Sequence, residues 1–332
     1  MTMEPRQAQG IPGWRVVSPL VMGIVVMGWL ANPVGGQALP GLVAQAPVPL
    51  EDETELTQTW VVTPEQAKIL IEQGATLLDV RHPRLQALGM LAGSVPAAWA
   101  DFTQTQDPHR GKLLTDDPGL TSRLQALGVF QNQPVVVVAD PANGWGEDGR
   151  MVWMLRTLGH RQAVMVDGGY AALLVAGVPL AKSPFTPARG DFVVQRDPSW
   201  EISRDQLKSQ LVKSQLGQQQ VVVIDTREAE EYQGEIRYGE KRGGHIPGAI
   251  HLSFRELIGT DGRMLSEAAI RAKLARLGIS PEAKIINYCT AGIRSGWMTA
   301  VLAHFGFHTQ NYAGSISEWA ASPPEDFPME QD

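Results

Sequence analysis

From about residue 57 the chain alternates short apolar runs with longer segments whose apolar positions recur at helical spacing. Thr76-Leu77-Leu78-Asp79-Val80-Arg81 and Val222-Val223-Ile224-Asp225-Thr226-Arg227 are apolar runs that end in Asp-x-Arg, the pattern of buried parallel strands with polar ends. Val135 to Asp140 and Lys284 to Cys289 form two more such runs. Thr63 and Ser203 each stand before a segment with acidic residues in its first turn, which predicts helix N-caps. Leu124 to Val129 and Leu274 to Ile279 read as helix tails closed by Gly128 and Gly278. The alternation predicts an α/β fold, a parallel sheet with helices on both faces. In such sheets ligands bind beyond the carboxyl ends of the strands.

These segments come in pairs. Trp60 to Ala67 matches Trp200 to Leu207, and Val166-Asp167-Gly168-Gly169 answers Tyr312-Ala313-Gly314-Ser315. The offset between matched segments drifts from 140 to 150 and back to 146, so insertions have accumulated in loops of a diverged duplication. Two tandem units are expected, at 57–182 and 200–322, joined by a linker at 183–199. Residues 47–56 are Pro-rich and then acidic and read as a linker, and 323–332 as a loose acidic tail.

Composition narrows the function classes. Of 332 residues 43% are hydrophobic and 19% charged, enough for two cores, and the net charge of −7 gives no support to a nucleic-acid partner. An anionic substrate must therefore be drawn in by a local positive site. The single cysteine excludes an intramolecular disulfide and a multi-cysteine metal site. Nothing suggests a metal, a nucleotide loop or a flavin, so no cofactor is expected. At the start, Arg6 and Arg15 precede the apolar stretch 16–31, and no charge follows until Glu51. That is a secretory signal pattern. Residues 1–46 are read as a leader that directs export to a periplasmic or equivalent compartment, with an uncleaved membrane anchor through 16–31 as the alternative.

Candidate chemistry lies in Cys289-Thr290-Ala291-Gly292-Ile293-Arg294. A strand delivers the cysteine, a tight loop with Gly292 follows, and a helix is expected from near Ser295. A loop wrapped over its first residue at a helix N-terminus aims several backbone N–H groups at one point, which favours an anion and lowers a thiol's pKa. Arg294 is expected to add a positive charge at the rim. Taken singly, Arg294 could be a solvated helix-start residue and Gly292 a turn glycine; the ordered combination points to a reactive thiol.

This loop, the segment Gly244-His245-Ile246-Pro247-Gly248-Ala249 and the duplication itself resemble the rhodanese family in its tandem form, the thiosulfate and 3-mercaptopyruvate sulfurtransferases. The resemblance covers roughly residues 57–322. It implies a persulfide on Cys289, loaded from a small anionic sulfur donor such as thiosulfate and discharged to cyanide or a thiol, with Thr290, Ala291, Gly292, Ile293 and Arg294 as the cradle. Asp225 and Arg227 are expected to brace a strand end, and His245 to be a structural turn residue. Asp140 is expected where the second copy has Cys289, so the first copy would be degenerate and form one wall of the cleft; a monomer follows as the default. The sequence departs from the family's pattern at Tyr170-Ala171-Ala172-Leu173, where an arginine would follow the Gly-Gly pair, and at Thr290. Arg237, Lys241 and Arg242 are alternative donor contacts. A cysteine phosphatase is disfavoured because four residues, not five, separate Cys289 from Arg294. The rival from another class is an exported, non-catalytic sulfur-binding or sensing module.

Overall fold

The computed structural model describes residues 53–182, 185–217 and 221–331, all within one compact unit, Ala46–Asp332. The expected leader and most of the preceding linker lie outside the described residues. No helix of the described residues is long and apolar enough to cross a membrane.

Two all-parallel sheets carry the fold. The first is built from β1 (Val61–Val62), β2 (Thr76–Asp79), β3 (Ser94–Pro96), β4 (Val135–Val138) and β5 (Ala163–Val166), in the order β1-β5-β4-β2-β3. The second holds β6 (Val221–Asp225), β7 (Ile250–His251), β8 (Lys284–Tyr288) and β9 (Thr309–Asn311), in the order β7-β6-β8-β9. A parallel bridge from Glu201 to Asn311 stands where β1 stands in the first sheet, so both halves share one topology. β4 is buried at all four positions, as a strand covered on both faces requires. Thr63 and Ser203 cap their helices, and Gln66 and Gln206 complete a capping box in each copy.

The halves meet through the same helix of each copy, Glu147–Thr157 and Ile293–His304. Glycine permits the close approach. A Cβ on Gly149 would lie 2.5 Å from Cα of Trp297, and one on Gly296 would lie 3.2 Å from Cα of Arg150. One apolar core crosses the seam, joining Val137 and Trp153 to Phe254, Ile285 and Trp297. The matched tryptophans of the two copies, Trp60 and Trp200, pack edge to face at 4.6 Å.

Two segments expected to be linkers and one expected to be a loose tail are docked. Residues 53–58 of the acidic stretch form a helix, Glu53–Gln58, with Leu56 buried. The carbonyls of Leu56, Thr57 and Thr59 accept from the buried guanidinium of Arg156. The segment after residue 185 straps the first half: Phe192 is fully buried, and the amides of Gln195 and Asp197 donate to Leu158 and Thr157. The acidic tail is likewise packed. Phe327 is buried, Glu330 exchanges two backbone hydrogen bonds with His245 at 2.9 Å, and Arg242 donates to the carbonyls of Trp319, Ala320, Ser322 and Phe327. Burying one such phenyl ring is worth about 2 kcal/mol, which outweighs the exposed charges around it.

Candidate active site

β8 ends at Tyr288, and the next residue, Cys289, lies fully buried at the carboxyl edge of the second sheet. Its backbone is fixed on both sides: the Cys289 amide donates to Ser315 Oγ at 3.1 Å, and its carbonyl accepts from Ile316 N at 3.1 Å. Gly292 takes φ +78°, which folds the loop back so that its amide donates to Cys289 Sγ at 3.1 Å. The hydroxyl of Ser295 reaches the same sulfur at 3.5 Å. The helix starts at Ile293, two residues earlier than expected, with left-handed Gly292 as its N-cap.

Burial by itself would push the Cys289 thiol up. The charge of Arg294 and the hydrogen bonds from Ser295 and Ala291 outweigh it, and the thiol sits below its ordinary range. The loop therefore favours a thiolate, the nucleophilic form.

Arg294 is not on the rim. It is buried in the wall of the pocket over Cys289, where Nη1 and Nη2 donate to both oxygens of Glu231 at 2.6 and 2.8 Å and Nη2 also donates to Thr290 Oγ1 at 2.7 Å. The hydroxyl of Thr290 in turn donates to Glu231 at 2.9 Å. An isolated guanidinium at that depth would be costly, and pairing with a carboxylate resolves it. Glu231, on the short helix Ala229–Tyr232, was not singled out by sequence reasoning. The available signal was the comparison of copies: six residues after Asp225 comes Glu231, but six after Asp79 comes Leu85.

Outside the loop, the other expected residues do not line the pocket over Cys289. Arg227 donates Nε and Nη2 to Asp225 at 2.9 and 2.6 Å and reaches the Gly244 carbonyl at 2.7 Å. Arg81 does the same with Asp79 and Gly89 at 3.0, 2.6 and 2.7 Å. Because the first copy keeps this brace without a cysteine, it serves the fold. His245 is buried, stacked on Tyr232 at 3.8 Å, with Nδ1 3.0 Å from the Tyr232 carbonyl. Of the alternative basic contacts, Arg237 pairs with Glu235, Arg242 staples the tail, and neither these nor Lys241 line the pocket over Cys289. Tyr170, the residue after Gly168-Gly169, covers Arg81 with its ring at 3.4 Å and donates to Gly89 O.

The expected match of Asp140 to Cys289 is off by one. Asp79 pairs with Val138 and Asp225 with Tyr288, so Ala139 holds the cysteine's position and Asp140 that of Thr290. The backbone agrees: Tyr170 N donates to Ala139 O as Ile316 N donates to Cys289 O. β4 is one residue shorter than β8, and aligning the ends of the apolar runs hides that difference. Asp140 instead ties its own loop, accepting from the amides of Ala142 and Asn143 and from Asn143 Nδ2 at 3.0 Å.

That loop is longer than its counterpart. Seven positions run from Ala139 to the left-handed Gly146, against three from Cys289 to Gly292. The extra length carries Trp145 across the seam, 5.2 Å from the Arg294 guanidinium and edge-on to Tyr238 at 6.2 Å. Trp99, Arg110 and Trp145 of the first half join Tyr238 and the Cys289 loop around a pocket of about 290 Å³. Arg150, also from the first half and fully buried, donates to the carbonyls of Gly292 (2.9 Å) and Gly111. Burial pulls its guanidinium down to about 10, against the opposing pull of Glu201 and Cys289. Sequence reasoning named none of Arg110, Arg150, Trp99, Trp145 and Tyr238 as site residues, since contact across a seam leaves no local trace.

The model of the rhodanese-like domain matches residues 208–322. The chain is 33% identical over 213 residues to a probable 3-mercaptopyruvate sulfurtransferase of Pseudomonas aeruginosa, covering 63% of this chain and 72% of that one. It is 30% identical over 257 residues to the thiosulfate sulfurtransferase of Azotobacter vinelandii, covering 76% and 90%. The sulfur carrier protein TtuD of Thermus thermophilus is 30% identical over 278 residues, covering 80% and 92%. Among solved structures, SseA from Escherichia coli, described as having the rhodanese fold, matches with a TM-score of 0.66 at 21% identity, over 77% of this chain and 98% of that one.

Proposed function

The chain belongs to the rhodanese family of sulfurtransferases, and we propose that it moves sulfane sulfur from thiosulfate or a similar donor to cyanide or a thiol through a persulfide on Cys289. The Cys289 thiolate attacks the outer sulfur of the donor. The new Sγ–S bond forms as the donor's S–S bond breaks, and the electron pair leaves on sulfite. The acceptor then attacks the terminal sulfur of Cys289–S–S⁻, and the pair released restores the thiolate. Two half-reactions sharing one covalent intermediate give ping-pong kinetics.

One observation carries this reading: the only cysteine lines a pocket with Gly292 N and Ser295 Oγ on its sulfur and Arg294 in the pocket wall. These groups stabilise negative charge on sulfur both before loading and after discharge. The first half, with Ala139 at the cysteine's position, supplies a wall of the pocket and no nucleophile.

Mass spectrometry of the intact protein tests it. Mixing with thiosulfate should add one sulfur atom, which cyanide removes and Cys289→Ser never acquires. No gain from thiosulfate, 3-mercaptopyruvate or a polysulfide would remove the proposal. Similarity to a sulfur carrier protein favours a second reading, in which a partner protein takes the sulfur. Turnover separates the two: a carrier stops after one equivalent when cyanide or a small thiol is the acceptor.

We also propose that residues 1–46 direct export or anchor the chain, and that the exported protein is a monomer. Fractionation with N-terminal mass analysis, and light scattering of the leaderless protein, test these points.

A further inference from the structure

Two cations line the pocket over Cys289, and they are not equivalent. Arg294 is held by the buried carboxylate of Glu231, and its charge already acts on the Cys289 sulfur. Arg110 comes from the first half. Its Nε and Nη2 donate to Ser317 Oγ at 3.3 and 3.0 Å, and Nη2 also donates to the Tyr238 carbonyl at 3.1 Å. Its one carboxylate partner among the described residues, Asp107 at 3.3 Å, is solvent-exposed, where pairing is weak. Nη1 of Arg110 makes no hydrogen bond among the described residues.

The backbone beside Arg110 is wedged against the active loop. Gly111 has φ +89°, and a Cβ there would lie 2.1 Å from the Ala291 carbonyl oxygen. Lys112 Nζ on the other side bonds Glu318 at 2.7 Å. Arg110 is therefore set at the pocket by contacts on both flanks, with one nitrogen unspent.

We propose that Arg110 is the residue that selects oxyanion-terminated donors, binding the sulfonate-like or carboxylate end of the donor while Cys289 meets its sulfur. The proposal rests on the reading above for the identity of the reacting sulfur, but not for the anion site itself. A thiolate and an anionic donor repel. With Arg294 committed to Glu231 and to the sulfur, the pocket needs one further positive charge to bring them together, and Arg110, the other cation that lines it, is the group that has it. A neutral electrophile has no use for that charge.

Alkylation of Cys289 by two reagents of nearly equal size, iodoacetate and iodoacetamide, isolates the effect. Each forms an Sγ–C bond and releases iodide, with or without a carboxylate. Arg110→Gln should slow iodoacetate about ten-fold, the loss of one charge-assisted hydrogen bond, while iodoacetamide stays within about two-fold. Arg110→Lys should recover part of the iodoacetate rate. Persulfide loading by thiosulfate should fall alongside iodoacetate, through KM more than kcat. Equal slowing of both reagents would mean the loop had been disturbed, and no slowing of either would mean the charge is not felt; both outcomes overturn the proposal. If wild-type protein never loads sulfur yet shows the iodoacetate effect, the sulfur-transfer reading fails and the anion site stands.

Discussion

Arg294 and Glu231 form a bidentate pair beside the cysteine loop, at 2.6 and 2.8 Å, with the Thr290 hydroxyl bonded to both. The loop's charge is thus built into the protein interior, and it ties the loop that carries Cys289 to a helix 58 residues upstream of that cysteine.

Glu231→Gln should destabilise the fold by about 3 kcal/mol, because it leaves a buried guanidinium without its counter-charge. Burial raises the Glu231 pKa, but the hydrogen bond and charge of Arg294 prevail and lower it. A lowered folded pKa contributes stability above the carboxylate's ordinary range that is lost as pH falls through the folded value. Urea titrations across acid pH should show that loss in the wild type and a shallower one in the variant.

Ser295→Ala removes a hydroxyl from the sulfur while leaving the loop's backbone in place. The thiol is lowered despite burial by Arg294 and by Ser295 and Ala291, so the thiolate is lost as pH falls through that lowered value. The midpoint of the iodoacetamide rate profile should move upward by up to about one pH unit in the variant. An unchanged midpoint would deny Ser295 that part.

Ser315 is the one described non-glycine residue at positive φ, 52°, and Gly169 at +59° holds its place in the first copy. Left-handed backbone costs about 1 kcal/mol at serine, offset by the hydroxyl that accepts from the Cys289 amide. Ser315→Ala keeps the strain and orphans a buried N–H, an expected loss of about 2 kcal/mol. Ser315→Gly relieves the strain and should lose less. The order of the two variants in urea unfolding is the check.

Asp148 sits two residues after Gly146, as Arg294 does after Gly292, so the first copy has reversed the charge at this position. Burial, with help from Glu147 and Asp140, pushes its carboxyl up to about 7. The folded state then binds a proton that the unfolded state releases, and stability falls as pH rises from about 4 to 7. Asp148→Asn should flatten that fall and gain at most about 4 kcal/mol at pH 8. A variant no more stable than wild type at pH 8 would rule this out.

The duplication, the parallel strands, the helix caps and the loop from Cys289 to Arg294 were all legible along the chain, because each rests on periodicity or on neighbours a few residues apart. Strand ends, caps and a folded-back glycine are local physics. The partner of Arg294, the residue matched to Cys289 and the cation at the pocket mouth were not legible. Glu231 reaches Arg294 only once β6 and β8 lie side by side; Ala139, not Asp140, takes the cysteine's place because backbone pairing sets register and apolar run length does not. Arg110, Trp99 and Trp145 reach the pocket only because glycines at 146, 149 and 296 let two helices close on each other. The tail reads as loose and the strap as a linker along the sequence, yet one buried phenylalanine in each, Phe327 and Phe192, finds a core that the rest of the fold had already formed.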